Sequence, residues 1–388
     1  MIVLAVLAPG QGAQKPGFLT GWLDLPQAAA RLRWWSALTG LDLIHLGTAA
    51  DADEIRDTAR TQPLLVASAL LAAEQLPLYD AGLLAGHSVG ELAAACLAGV
   101  LTPEAAVTLA AVRGREMGAA CALEPTGMAV VMGGDSAEVA GAVEAAGLYP
   151  ANYNGAGQLV VAGAVEALAK LAAVPPARSR VITLKVAGAF HSRYMAPAQA
   201  ALGTVAAGIV PADPQRILLS NLDGTAVSTG REVLVRLVRQ VTSPVRWDLC
   251  MQTMEHVGVT AIVELPPAGT LAGLAKRTLR GVEIVAVNTP DDLAAARDLF
   301  ARHGVPPSGE PGPQFRVVVA GAGGTFAPAA DLAEGTEVHG GQLIGHITTR
   351  QGDVEVTVAQ PGVLTEWLAH HDDPVAAGQP LARIGGSL

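Results

Sequence analysis

LLAGHSVGELAAA, residues 83–95, decides the architecture. The apolar run Leu83-Leu84-Ala85 reads as a buried strand that ends at Gly86. His87, Ser88, Val89 and Gly90 follow, and Glu91 opens a helix of small apolar residues over about 89–98. Gly-x-Ser-x-Gly is the spacing of a strand–nucleophile–helix turn. Its two glycines let strand and helix approach closely, and its serine occupies a strained, exposed backbone position. The hydroxyl then lies at a helix N-terminus, where N–H groups favour developing negative charge. The plainer reading is a glycine-rich turn whose serine caps the helix.

Upstream, residues 2–8 (IVLAVLA) read as a buried parallel strand running into Pro9-Gly10-Gln11-Gly12, a loop that allows close backbone approach. Helical periodicity marks 26–39, 51–60 and 62–76, with Pro63 near the start of the last. Thr102-Pro103-Glu104 starts a helix to about 121 that carries Arg113, 25 residues after the serine. From 126 to 187 the order is β-α-β-β-α-β, that of a ferredoxin-like subdomain inserted into the larger domain. Strands at 217–220, 260–265 and 283–287 and helices at 231–241, 246–257, 269–279 and 291–303 complete that domain. The fold class is therefore α/β, a hydrolase-like parallel-sheet main domain over 1–125 and 188–305 interrupted by 126–187.

The stretch 306–313 (PPSGEPGP) forms neither helix nor central strand and serves as a linker. Beyond it, 314–388 is a small all-β unit with an internal repeat. Val338, Gly341, Gln342 and Ile347 recur as Val375, Gly378, Gln379 and Ile384, offset by 37.

Composition excludes several classes. The chain has 388 residues, 51% hydrophobic and 15% charged, enough for two or three domains. A net charge of −10 argues against broad nucleic-acid binding. No apolar run approaches the roughly 18 residues of a membrane span. The start MIVLAVLAPGQ lacks a basic n-region, so a signal peptide is not expected and a cytoplasmic location is. Cys96, Cys121 and Cys250 are unclustered, as reduced thiols are, and no paired spacing calls for zinc.

A serine nucleophile needs a base. Among nine histidines, His191 in AFHS stands where the chain re-enters the main domain, and it is the candidate; a satisfied loop histidine is the plain alternative. His87 is read equally as a packing residue or a substrate contact.

At this point a resemblance becomes specific. PGQGAQ (9–14), GHSVGE (86–91), RG (113–114), NYNGAGQ (152–158), AFH (189–191), PVRW (244–247) and GLAKR (273–277) come in this order. Together they resemble the malonyl-CoA:acyl carrier protein transacylases of type II fatty-acid synthesis, in their actinobacterial form, over residues 1–303. The resemblance implies that Ser88 is acylated by malonate and that His191 acts as base and then as acid. It places the Gln240 backbone carbonyl behind His191, and the Gln11 and Val89 amides in the oxyanion hole. Arg113 would hold the malonyl carboxylate, a task for which a bidentate, permanently charged guanidinium is suited. The pair GHSVG and AFH also resembles the malonyl-selecting pattern of polyketide acyltransferase domains.

The substrates implied are malonyl-CoA and holo acyl carrier protein, with no metal or redox cofactor. Arg193, Lys276 and Arg277 are candidates to meet the acidic carrier. The stretch Glu264–Gly269 departs from the family's usual Gly-Pro-Gly turn. Residues 314–388 resemble a biotinyl/lipoyl carrier domain, a barrel-sandwich hybrid, with Gln351 on the hairpin 349–353 where the modified lysine would stand. No lysine follows Lys276, so that module is expected to be unmodified, a docking or stabilising appendage. Alternatives are a transacylase of polyketide or malonate decarboxylase systems, a Gly-x-Ser-x-Gly thioesterase, and a non-enzymatic scaffold.

Overall fold

The computed structural model describes residues 3–304, 315–359 and 361–385. The linker expected at 306–313 lies outside the described residues. Leu4–Ala8 (β1), buried along its whole length, is the middle strand of a five-stranded parallel sheet. Its neighbours are Leu83–Gly86 (β2) and Ala261–Glu264 (β8), with Ile217–Leu218 (β7) and Glu283–Ala286 (β9) at the edges. Strands covered on both faces read as apolar runs; β1 and β2 do so throughout and β8 does so up to its terminal Glu264, because helices flank them.

The segment 19–48 carries Ala28–Thr39 (α1) and Leu43–Thr48 (α2). Two helices expected at 51–60 and 62–76 are instead a short turn at Glu54–Arg56 and one helix, Thr58–Ala73 (α3). The Asp57 carboxylate accepts from Ala59 N at 2.8 Å and caps it, so the helix starts before Pro63 and runs through it. Burial of nearly the whole helix outweighs the hydrogen bond that proline cannot donate. Gly90–Leu97 (α4) follows the nucleophile turn, and Pro103–Cys121 (α5) is capped by the Thr102 hydroxyl.

The excursion after α5 contains Thr126–Gly133 (β3), Ser136–Ala145 (α6), Tyr149–Gly155 (β4), Gln158–Ala164 (β5), Val165–Ala173 (α7) and Ser179–Thr183 (β6). Its sheet is antiparallel, in the order β4-β5-β3-β6. The chain then forms Ala196–Ala206 (α8), Gly230–Arg239 (α9), Trp247–His256 (α10), Thr270–Thr278 (α11) and Leu293–His303 (α12). Sequence periodicity does not announce α8, because its alanine-rich stretch has little polar–apolar contrast to set a period. The buried Glu264 carboxylate accepts from the N–H groups of Gly269, Leu271 and Ala272 at 2.7–2.9 Å, capping α11. No helix among the described residues is long and apolar enough to cross a membrane.

The chain divides into two compact units, and Leu19–His45 groups by contacts with the C-terminal segment. The physical reason is close seating: a Cβ built on Gly378 would lie 2.0 Å from the Ala30 carbonyl oxygen on α1.

The C-terminal part of this unit has eight strands: Phe315–Val319 (β10), Gly324–Pro328 (β11), Glu337–Val338 (β12), Leu343–Thr349 (β13), Gly352–Thr357 (β14), Gly362–Trp367 (β15), Pro374–Val375 (β16) and Pro380–Gly385 (β17). They form two four-stranded sheets, β10-β17-β15-β12 and β14-β13-β11-β16, closed over a core that includes Phe326, Ile344, Ile347, Leu364 and Leu381. Each sheet draws strands from both halves of the repeat. The repeated Gly-Gln is a turn device. Gly341 and Gly378 sit at φ 81° and 86°, and the following Gln342 and Gln379 accept from the N–H groups of His339 and Ala376 at 2.8 and 3.0 Å. Thr349 pairs with Gly352, leaving Arg350-Gln351 at the tip of the β13–β14 hairpin.

Gly378→Ala tests the seating on α1. It forces a methyl group into backbone at a left-handed φ, and a loss of about 1–3 kcal/mol is expected. Thermal melting should fall, and amide exchange across α1 should speed up while β1 and β2 are unchanged.

Candidate active site

Ser88 sits between β2 and α4 at φ 54°, a left-handed conformation rare for a side chain bearing Cβ. The glycines that flank it permit the turn. A Cβ on Gly86 would lie 2.0 Å from the Gly90 carbonyl carbon, and one on Gly90 would lie 2.2 Å from the Ala8 carbonyl oxygen. A Cβ on Gly10 would lie 2.8 Å from His87 O, so the 9–12 loop, with Gln11, also comes up to the turn. Val89 follows Ser88 directly at the start of α4.

The hydroxyl of Ser88 lies 2.7 Å from His191 Nε2. On the far side of the ring, His191 Nδ1 is 2.9 Å from the backbone carbonyl of Gln240. A carbonyl only accepts, so Nδ1 carries the proton and Nε2 is left to accept from the serine. The group behind the histidine is a backbone carbonyl and not a carboxylate, which separates this pair from a Ser-His-Asp arrangement.

Arg113, 2% exposed on α5, completes the cluster. Its Nη1 donates to Gln62 Oε1 at 2.6 Å, and its Nη2 donates to Gln240 Oε1 at 2.9 Å and to Ser88 Oγ at 3.3 Å. All three partners are uncharged, so a full positive charge stands beside the serine with none of its direct hydrogen bonds to an anion. Gln62 links onward to Gln11 Oε1 at 3.4 Å.

Burial and this charge set the titration of the group. Burial first, then the Arg113 guanidinium, pushes the His191 imidazole down to about 3, so it is a neutral base at pH 7. Burial lowers Arg113 to about 10, with Glu91 opposing, and the guanidinium stays charged. Burial pushes the Glu91 carboxyl up, while the N–H donors of Asn221 and Gln240 on its two oxygens and the Arg113 charge pull it back towards the ionised form.

His87 faces the other way. Its Nε2 is 3.0 Å from Asn154 Oδ1 on β4, and its ring meets Trp247 edge-on at 5.6 Å, so it ties the nucleophile turn to the inserted sheet. A cleft of about 490 Å³ opens at His191, lined also by Tyr149, Arg193, Gln199, Thr242 and Pro244. Among the described residues no cluster of three His, Cys, Asp or Glu side chains could hold a metal ion.

Six residues singled out in the sequence thus converge on one turn: Ser88, His191, Arg113, Gln240, Val89 and Gln11. Gln62, Glu91 and Asn221 were missed as site residues. Asn221 does stand just past β7, at the carboxyl end of a parallel strand, where such sheets gather their functional groups.

Residues 7–293 match the acyl transferase domain family. The chain belongs to that family. It is 54% identical over 296 residues to the malonyl CoA-acyl carrier protein transacylase of Mycobacterium tuberculosis, a match covering 75% of this chain and 98% of that protein. The crystal structure of the transacylase MCAT from the same organism superposes with a TM-score of 0.74 at 53% identity, covering 76% of this chain and 99% of the other. A malonyl-transacylase solved in complex with its type II polyketide acyl-carrier protein, PlMCAT:AntF, superposes at 0.70 with 29% identity, over 76% and 99% of the two chains. The acyl transferase match ends at the first residue of α12, so β10–β17 lie beyond it.

Proposed function

We propose that this chain moves malonyl groups from malonyl-CoA to the phosphopantetheine thiol of an acyl carrier protein, supplying fatty-acid synthesis. The observation that carries the reading is the buried Arg113 guanidinium, held only by neutral partners 3.3 Å from the Ser88 hydroxyl. Such a site fits an acyl group that ends in a carboxylate.

In this reading Ser88 Oγ attacks the thioester carbonyl carbon while its proton passes to His191 Nε2. The Gln11 and Val89 N–H groups receive the oxyanion. The C–S bond breaks, and the CoA sulfur takes the proton from His191. The carrier thiol then gives its proton to His191 and attacks the malonyl ester, and Ser88 leaves with that proton. The substrate also tunes the base. Its carboxylate, paired with Arg113, cancels part of the charge that holds the imidazole pKa down, so His191 is more basic when it must accept the proton. The cleft beside His191, lined by Arg193, is the route for the pantetheine arm, and exposed Arg193, Lys276 and Arg277 are the cations assigned to the acidic carrier in a cytoplasmic setting.

The same reading takes 126–187 as a ferredoxin-like subdomain, which the order β4-β5-β3-β6 supports. It takes 314–388 as a biotinyl/lipoyl-like module without its modification. Two interleaved half-repeats support this, with Gln351 at the hairpin tip and no lysine beyond Lys276.

The test is intact-protein mass spectrometry. Malonyl-CoA should add one malonyl group to the wild type and none to Ser88→Ala, and holo carrier protein should remove it. Discharge to water alone would indicate a thioesterase, and the absence of any adduct on folded protein would leave a scaffold.

A further inference from the structure

The nucleophile turn is held from behind by side chains that take no part in the steps above. Ser88 is strained, and both of its backbone polar groups are bound by side-chain amides. Its N–H donates to Asn221 Oδ1 at 2.8 Å, and its carbonyl accepts from Gln240 Nε2 at 3.0 Å. Asn221 is itself anchored, donating through Nδ2 to Gly86 O at 2.8 Å. Both amide residues converge on one group. Glu91 Oε1 accepts from the Asn221 backbone N–H at 2.6 Å, and Glu91 Oε2 accepts from Gln240 Nε2. Glu91 is buried on the first turn of α4.

We propose that Glu91 is a positioning residue for the transfer: its two carboxyl oxygens lock Asn221 and Gln240, and through them Ser88, Arg113 and His191, into one arrangement. The argument turns on donors and acceptors. Arg113 has only donors, so the Gln240 amide must turn its oxygen to Arg113 and its NH2 towards Glu91. The Asn221 N–H also points at Glu91. Residue 91 must therefore accept at both ends. A glutamine there offers one acceptor and one donor, so either Asn221 or Gln240 meets a donor. Turning Gln240 over to escape that clash would set its NH2 against the guanidinium. Because Gln240 supplies its side-chain oxygen to Arg113 and its backbone oxygen to His191, a fault at position 91 reaches both.

The inference rests on the malonyl-transfer reading, and the test separates the two. Folded Glu91→Gln is expected to lower kcat for malonyl transfer about 100-fold, the scale of an ångström-sized misplacement, with KM changed far less. Its preference for malonyl-CoA over acetyl-CoA should fall about tenfold as Arg113 loses its support. In a Gln240→Met background, which keeps the backbone carbonyl but removes the NH2, the same substitution should cost no more than about threefold. Wild-type kcat and preference in Glu91→Gln, or effects that simply add to those of Gln240→Met, would overturn the positioning role while leaving malonyl transfer intact. If Glu91→Gln yields no folded protein, the double variant Glu91→Gln, Gln240→Met decides: a folded protein with kcat within about threefold of Gln240→Met supports the lock, and failure to fold or a further large loss overturns it. Failure of the wild type to accept malonyl would instead sink the underlying reading.

Discussion

Arg113→Ala should exchange the acyl preference of the enzyme rather than merely weaken it. Removing one partner of a buried, hydrogen-bonded charge pair costs about 2–4 kcal/mol, roughly 30- to 1,000-fold in kcat/KM for malonyl-CoA. Acetyl-CoA presents no carboxylate, and in the wild type it leaves the guanidinium buried without an anion. With alanine that penalty disappears, so kcat/KM for acetyl-CoA should hold or rise. Arg113→Lys keeps the charge but cannot reach Gln62 and Gln240 together while presenting a fork, and it should fall between the two. The measurement is kcat/KM for both thioesters. Equal losses for the two would show that Arg113 supports the fold and reads no carboxylate.

His191→Ala should lower kcat about 100- to 10,000-fold, the usual worth of a positioned general base, and should leave malonyl-CoA binding nearly unchanged. The wild type should also lack the acid limb near pH 6.5 that an ordinary histidine base produces. Its imidazole is held at about 3 in the folded enzyme, so kcat/KM with respect to base ionisation should stay level down to pH 5. The same shift appears in stability, and its sign is fixed. Between about 6.5 and 3 the unfolded chain binds a proton that folded His191 refuses, so stability is lost as pH falls through that window. Denaturant titrations at pH 7.5 and 5 should show the wild type losing about 2 kcal/mol more than His191→Ala over that interval. An acid limb at 6.5, or identical losses in both proteins, would contradict the depressed pKa.

Much of this site was legible in one dimension because its parts are local. The turn at 86–90 is a steric requirement written in adjacent residues, and Thr102-Pro103 announces α5 and hence the face that carries Arg113. The apolar runs of β1, β2 and β8 declare a covered parallel sheet. What escaped depends on distant pairing. Glu91 looks like any acid in the first turn of a helix until Asn221 and Gln240 arrive 130 and 149 residues later. The side chain of Gln240 was missed although its backbone carbonyl was not, since motif order fixes a position in the chain and says nothing of where an amide points. The helix through Pro63 escaped for a related reason: local propensity breaks the chain there, and burial against the rest of the protein restores it. Nor does sequence alone group 19–45 with the C-terminal strands, because the complementarity of the Gly378 turn and α1 exists only once both are folded.

Ser88 and His191 both lie in left-handed backbone, at φ 54° and 57°. Glycine would relax either position, so mutational drift that favours a sturdier fold runs downhill away from the nucleophile and from the base alike. A lineage released from the demand for acyl transfer would forfeit these two side chains early and keep its sheets intact. A silent descendant of this protein would be recognised by a sound scaffold around an eased turn.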